Sequence, residues 1–239
     1  ATTGPAWKEQ RVEDAVVRHQ PQDPGAAAVL ATMPEALARV QAAFPDFPGH
    51  SYVLVFPDRK TAQTALNTPV PDGGIGDGFG QDLAVMVSPA VWSAEERAMK
   101  PLNDVVTHEL THNAVAYSGG PVIPKWLTEG IALYVGHQVL PSQQQAAAQL
   151  AASGKLYSLQ DLDKLFSGAA SAKDVGPGHA LAGNLVNFMV DRYSFAKVKQ
   201  VVAGLGKGQT IDQALTDGIG TGSKGLETAW HQWLLTGGQ

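Results

Sequence analysis

The sequence predicts an α+β fold in a single domain spanning 1–239, with an N-terminal mixed α/β lobe carrying a small sheet (1–100) and a mainly helical C-terminal lobe (101–239). Three observations predict it. The strand-like runs, SYVLVF at 51–56 and DLAVMVSP at 82–89, fall before residue 90, whereas the text after residue 101 turns helical and alanine-rich. A chain of 239 residues at 44% hydrophobic and 16% charged can also bury a full core.

The first elements are weakly specified. KEQRVEDAVVRH, up to His19, reads either as a strand centred on VVRH or as a helical lead-in, and QPQDPG breaks it. Residues 26–44 read as a helix with Leu30, Leu37, Val40 and Phe44 on a recurring face, and Thr32 and Pro34 are candidates for its start. SYVLVF is a buried strand that ends at Pro57, and TAQTAL is a short helix beyond it. PVPDGGIGDGFG, at 69–80, is too glycine-rich for regular structure and reads as a mobile loop. It has neither the Lys-Ser/Thr of a phosphate loop nor the closing Glu of a calcium loop built on Asp72, Asp77 and Asp82. DLAVMVSP is the next strand. Ser93 caps a helix SAEER that Pro101 interrupts.

The helix that follows carries the chemistry. VVTHELTHNAVAY has apolar residues at Val105, Val106, Leu110, Ala114 and Val115, a spacing that buries one face, with Asn103 or Asp104 to cap its start and Gly119, Gly120 and Pro121 to end it. Within it lies HELTH, an H-E-x-x-H pattern. Residues four apart share a helical face, so His108 and His112 can present two imidazole nitrogens to one ion. Glu109, about 100° further round, is too far round to be the natural third ligand yet can reach a water on that ion. Buried imidazoles and a buried carboxylate need partners, and a metal ion supplies one.

A hydrolytic zinc site takes three protein ligands and leaves the fourth position to water. PKWLTEGIALYV begins with Pro124, which suits a first helical turn, and has Trp126, Leu127, Ile131 and Tyr134 on an apolar face. Glu129 is its only carboxylate, a turn separates it from HELTH, and Gly130 removes a side chain where the two helices would approach.

HELTH followed by WLTEG resembles the gluzincin metallopeptidases, more narrowly the peptidase MA-like group, in which HExxH is joined by a glutamate from a following helix in a W-x-x-E-G context. The likeness spans roughly residues 50–239 and implies a zincin-like fold, with the motif helix between the lobes. It implies His108, His112 and Glu129 as ligands of a Zn2+ cofactor and Glu109 as general base. Relatives commonly have a Tyr at the start of the next helix to steady the oxyanion; here the matching position is His179, in GHALAGNLVNF, with Tyr193 and Tyr134 as alternatives. An edge strand just before the motif helix often holds extended substrate in such proteins, which points to DLAVMVSP and the glycine-rich stretch as the upper wall of the cleft.

The remaining elements are helical. QQQAAAQLAAS is a good helix former, SLQDLDKLF opens with Ser158 and Asp161 in capping register, and the text just before His179 reads as a loop. HALAGNLVNFMVDRYS has Leu181, Leu185, Phe188 and Met189 as its buried stripe, Thr210 and Gln213 form a capping box for TIDQAL, and LETAWHQWLL closes the chain.

Composition and charge narrow the classes further. A net charge of −5 with scattered Lys and Arg gives no footprint for nucleic acid, and nothing approaches the length of a membrane span. Cys is absent, which excludes disulfides, thiolate metal sites and Cys nucleophiles. No G-x-S-x-G supports a serine esterase. The opening ATTGPAW, without an initiator Met, leads us to expect a processed, secreted chain, extracellular or in the cell envelope, and a monomer. The expected activity is peptide-bond hydrolysis on a peptide or protein substrate, as an endopeptidase because no G-x-M-E-N-like anchor for a substrate amine is present. The rival is a catalytically silent zinc-binding envelope protein of gluzincin fold. The intact Glu109 speaks against it. As a second layer around the histidines, Asp104 and Asn113 are the candidate acceptors, while His137, His19, His50 and His231 stand outside the constellation.

Overall fold

A computed structural model describes residues 6–67, 76–166 and 172–236, and the chain resolves into two compact units that meet in sequence at Tyr117 and Ser118. Together they have the α+β make-up expected, a small sheet first and helices after it. Among the described residues, no helix is long and apolar enough to cross a membrane.

The first unit is built on a five-stranded mixed sheet. The ambiguous N-terminal stretch is a hairpin, β1 (Lys8–Val12) and β2 (Ala15–His19), antiparallel, with Glu13 at φ 52° in its two-residue turn. Ala15, Val17 and His19 alternate inward along β2, the period of a half-buried strand. Helix α1 (Ala26–Ala43) then leads to β3 (Tyr52–Phe56), which pairs parallel to β2. Thr32 and Pro34, expected at the helix start, lie inside α1. The helix begins six residues earlier than Thr32, at Ala26 after Gly25, and Thr32 hydrogen-bonds back to the Ala28 carbonyl at 2.8 Å. Val29, Met33, Ala36, Leu37 and Val40 make its buried face.

Helix α2 (Arg59–Leu66), capped by the Asp58 side chain on the Thr61 N–H, leads toward β4 (Gly76–Phe79) and β5 (Leu83–Val87). The strand order β1-β2-β3-β5-β4 corrects the expectation for DLAVMVSP: β5 lies inside the sheet, parallel to β3 on one side and antiparallel to β4 on the other. The continuous apolar run Leu83–Val87 is therefore that of a strand covered on both faces. Part of the glycine-rich stretch is itself an edge strand, because ladder pairing asks only for backbone N–H and C=O groups, which glycine has. The rest of that loop, 69–75, lies outside the described residues, and with it the Asp72 position.

A short 3₁₀ turn and α3 (Ala94–Met99) follow. Ser93 and Glu96 form a reciprocal capping box at the start of α3. Helix α4 (Leu102–Gly119) starts directly after Pro101, so Asn103 and Asp104 sit in its first turn rather than before it. Asp104 accepts from Arg39 of α1 at 2.8 Å, and Asn103 donates to Glu35 on the same helix.

The second unit is a set of helices arranged about a long one. Helix α5 (Lys125–Val135), α6 (Pro141–Ala152) and α7 (Leu159–Lys164) precede α8 (Ala172–Tyr193), against which all three pack. α8 starts earlier than expected: residues 172–178, read as loop, already belong to it, with Pro177 inside the helix. Leu181, Leu185, Phe188 and Met189 are buried as predicted. Helix α9 (Phe195–Gly206), passed over by the sequence reading, packs on α8 and on α10 (Ile211–Ile219), whose Thr210–Gln213 capping box is present. Helix α11 (Ser223–Leu235) closes the unit, with Trp230 fully buried and donating to Asn184 of α8 at 2.7 Å.

Candidate metal centre

The HELTH segment occupies the middle of α4, and its backbone is regular helix, so the two histidines stand one turn apart on one face. Their Nε2 atoms are 3.2 Å apart and their rings are nearly perpendicular, at 80°. Two nitrogens bound to one tetrahedral zinc at about 2.0–2.1 Å are separated by about 3.3–3.4 Å. The observed spacing thus fits two ligands of a single ion. Glu109 joins them: one carboxylate oxygen of Glu109 and one ring nitrogen of each histidine all lie within 4.8 Å of one another. All three residues are buried. Two imidazole nitrogens at this spacing, with no thiolate, are donors that suit zinc, and the Glu109 carboxylate stands beside them.

The surroundings in the first unit explain why α4 holds this geometry. Arg39 ties Asp104 at one end of the helix. Beyond His112, Asn113 is fully buried; its Oδ1 accepts from Ser51 Oγ at 3.1 Å and its Nδ2 donates to the carbonyls of Gly80 and Leu83 at 3.3 and 3.0 Å. Asp104 and Asn113, proposed as acceptors for the ligand imidazoles, thus have Arg39 and the sheet as their partners in these contacts. Lys100, just ahead of α4, also belongs to this neighbourhood. Burial pushes its ammonium below the usual lysine range, with the carboxylates of Glu96 and Glu109 acting in the opposite sense.

Glu129 and His179 are in the second unit, where they meet. Glu129 is buried on α5, and its Oε2 lies 3.3 Å from His179 Nε2 on α8. The His179 ring packs edge-on against Phe166 with centroids 5.2 Å apart. α5 is set on α8 by Gly130: an added Cβ there would lie 2.4 Å from Val186 Cγ2 and 2.5 Å from the Ala182 carbonyl oxygen. The close neighbour that demands glycine is therefore α8. Pro124 brings no capping side chain to α5, and Asp163 of α7 supplies one, its Oδ1 accepting from the N–H groups of Lys125 and Trp126 at 2.6 and 3.4 Å.

The other candidates separate clearly. Tyr193 ends α8, fourteen residues after His179, which at 1.5 Å per residue is about 21 Å along the helix. Tyr134 stacks on Phe195 at 5.3 Å. His19 bonds the Gln20 carbonyl and the Gln10 side chain, His231 bonds the Tyr157 carbonyl, and His137 is exposed. Asn113, Lys100 and Asp163 escaped a functional or positioning role in the sequence reading that matches what they do here. Asn113 was read as an acceptor for a motif histidine, whereas its bonds go to Ser51, Gly80 and Leu83; Asp163 caps a helix start 38 residues before it, a pairing that no local pattern shows.

Fold and site together define the zincin-like class of metallopeptidase architecture, an HExxH helix in an α+β chain. The family model for the Peptidase MA superfamily matches residues 89–236, and the chain belongs to that superfamily. Among solved structures, it is similar to a two-domain M1 zinc metallopeptidase, crystallised as a glutamate-to-alanine mutant bound to L-arginine, at 14% identity and a TM-score of 0.54. The match covers 96% of this chain and 51% of that one, so the chain spans about half the length of that relative. A comparison with curated proteins finds no match.

Proposed function

We propose that this chain is a zinc-dependent peptidase that hydrolyses internal peptide bonds, with His108, His112 and Glu129 holding the ion and Glu109 as general base. The observation that carries the proposal is the 3.2 Å approach of the two Nε2 atoms with the Glu109 carboxylate beside them. Membership of the Peptidase MA superfamily supports the class, and the WLTEG pattern supports Glu129. We read the two units as lobes of one metallopeptidase domain.

Zinc, when bound, supplies a Lewis acid and lowers the pKa of water toward about 7. Glu109 then accepts a proton from the attacking water and hands it to the departing amine nitrogen, which needs a carboxylate held near the attack site and not consumed as a ligand. We assign His179 as the donor to the negative charge that grows on the scissile carbonyl oxygen, a role that would fall to its Nδ1–H, since its Nε2 lies 3.3 Å from Glu129 Oε2. The edge strand β4 offers its open side to an extended peptide, by main-chain hydrogen bonding, in the place first assigned to β5.

The test is metal analysis of the purified protein beside Glu109→Gln. We expect equal zinc in both and a loss of peptide cleavage in the variant by a factor of about 10² to 10⁴. Cleavage that survives in Glu109→Gln would remove the base assignment, and zinc without cleavage in the native chain would favour the silent binding protein.

A further inference from the structure

We propose that Asn113 is a positioning residue that fixes the substrate-binding edge of the sheet relative to the metal-binding histidines; the inference rests on the zinc-peptidase reading and deepens it. Asn113 follows His112 directly on α4 and is fully buried. Its side chain uses both ends. The two amide protons go to Gly80 O, just past the end of β4, and to Leu83 O, the first residue of β5. These carbonyls bracket the β4–β5 turn, in which Gly80 takes φ +67°. The amide oxygen accepts from Ser51, the residue before β3.

Two further bonds converge on the same turn. Gln81 Nε2 donates to the Ala116 carbonyl, one turn further along α4, and the Tyr52 N–H donates to the Asp82 carbonyl. The turn that carries β4 is therefore stitched to the helix at the residue adjoining a motif histidine. Among the described residues, β4 pairs with β5 on one side only. A peptide added to its other side would take its height above His108 and His112 from this connection. A buried side chain that needed only to fill space could be apolar, whereas two donors and one acceptor, all used, specify a geometry. An aspartate has the same shape and lacks both donors.

The test measures binding, so that it does not depend on turnover. Zinc-loaded Glu109→Gln is titrated with a fluorescein-labelled, end-blocked alanine-rich tripeptide and the matching octapeptide, and the titrations are repeated with Asn113→Asp added. We expect the octapeptide to bind the parent more tightly than the tripeptide, and Asn113→Asp to weaken the octapeptide by about tenfold while leaving the tripeptide unchanged. Should Asn113→Asp fail to fold, Ser51→Ala, which removes only the bond onto the amide oxygen, carries the same comparison with an expected loss of about threefold confined to the octapeptide. Equal weakening of both peptides, an unchanged octapeptide, or no length dependence in the parent would overturn the proposal. Failure of the peptidase reading shows differently, as absent cleavage by the native protein with length-dependent binding intact.

Discussion

At the scale of single residues, a close backbone approach outside the HELTH cluster constrains Gly130. Alanine is the better helix former by about 1 kcal/mol, but its Cβ would press on Val186 and on the Ala182 backbone, and overpacking of that kind costs about 1–3 kcal/mol. Backbone cannot yield as a flexible side-chain tip can. We therefore expect Gly130→Ala to lower the urea midpoint and to disturb the Glu129–His179 approach, because Glu129 adjoins the displaced residue and Ala182 lies three positions after His179. A variant as stable as the parent would show that α5 can move off α8 without penalty. The sequence made Gly130 conspicuous but misassigned its neighbour, since a text can reveal that a side chain is missing and not which helix arrives there.

At the scale of elements, two helix starts carry predictions. Helix α5 has Pro124 at its N-cap and relies on Asp163, 38 residues after Lys125, for the side-chain cap. Asp163→Ala should cost about 1 kcal/mol in chemical denaturation, the usual worth of a cap, and Asp163→Asn should recover most of it. If the two variants behave alike, the cap contributes nothing beyond the charge.

Helix α3 is pH-sensitive through Glu96. Burial alone would raise that carboxyl, but the Ser93 N–H, the Arg59 guanidinium and the Lys100 ammonium outweigh it and hold it below its ordinary value of 4.5. A carboxyl whose folded pKa is depressed stabilises the fold fully above the unfolded value, and that contribution is lost as pH falls through the lowered one. Melting curves of the native chain and Glu96→Gln should thus differ at neutral pH and converge as the pH falls below 4.5 and through the lowered value. A gap that stays constant down that range would mean that the ion pair with Arg59 adds nothing to stability. Element types were largely legible in the sequence: the 51–56 and 82–89 strands, the capping boxes at Ser93 and Thr210, and the HELTH helix follow from period and local hydrogen bonding. The misses share a cause. The start of α1 and of α8 and the pairing of β4 run through Pro- or Gly-rich text, where local preference is weak and packing decides.

At the scale of the whole molecule, zinc should be a structural asset as well as a reagent. Binding to the folded chain alone stabilises it by about 2.7 kcal/mol when free metal stands at 100 times Kd, which for a chain of this size is a rise of about 5 to 10 °C in Tm. Stripping the metal with a chelator should lower Tm by that amount, and readdition of zinc should restore it. Identical melting with and without the metal would contradict a resident site. The likeness to an M1 zinc metallopeptidase runs over 96% of the chain, so the residues of both units share in that fold.

The sequence by itself determined the elements whose information is local: which face of α4 carries His108 and His112, and that a sheet-bearing N-terminal part precedes a helical one. Tertiary structure decided what depends on partners distant in the chain. It chose β4 as the edge strand, gave Gly130 to α8, brought Asp163 to the head of α5, set His179 against Glu129, and gave Asn113 its three hydrogen bonds. The physical reason is range: helical periodicity and capping act over a few residues and can be read in a line of text, whereas strand order, steric exclusion and the pairing of buried polar groups are settled only when remote segments compete for the same space.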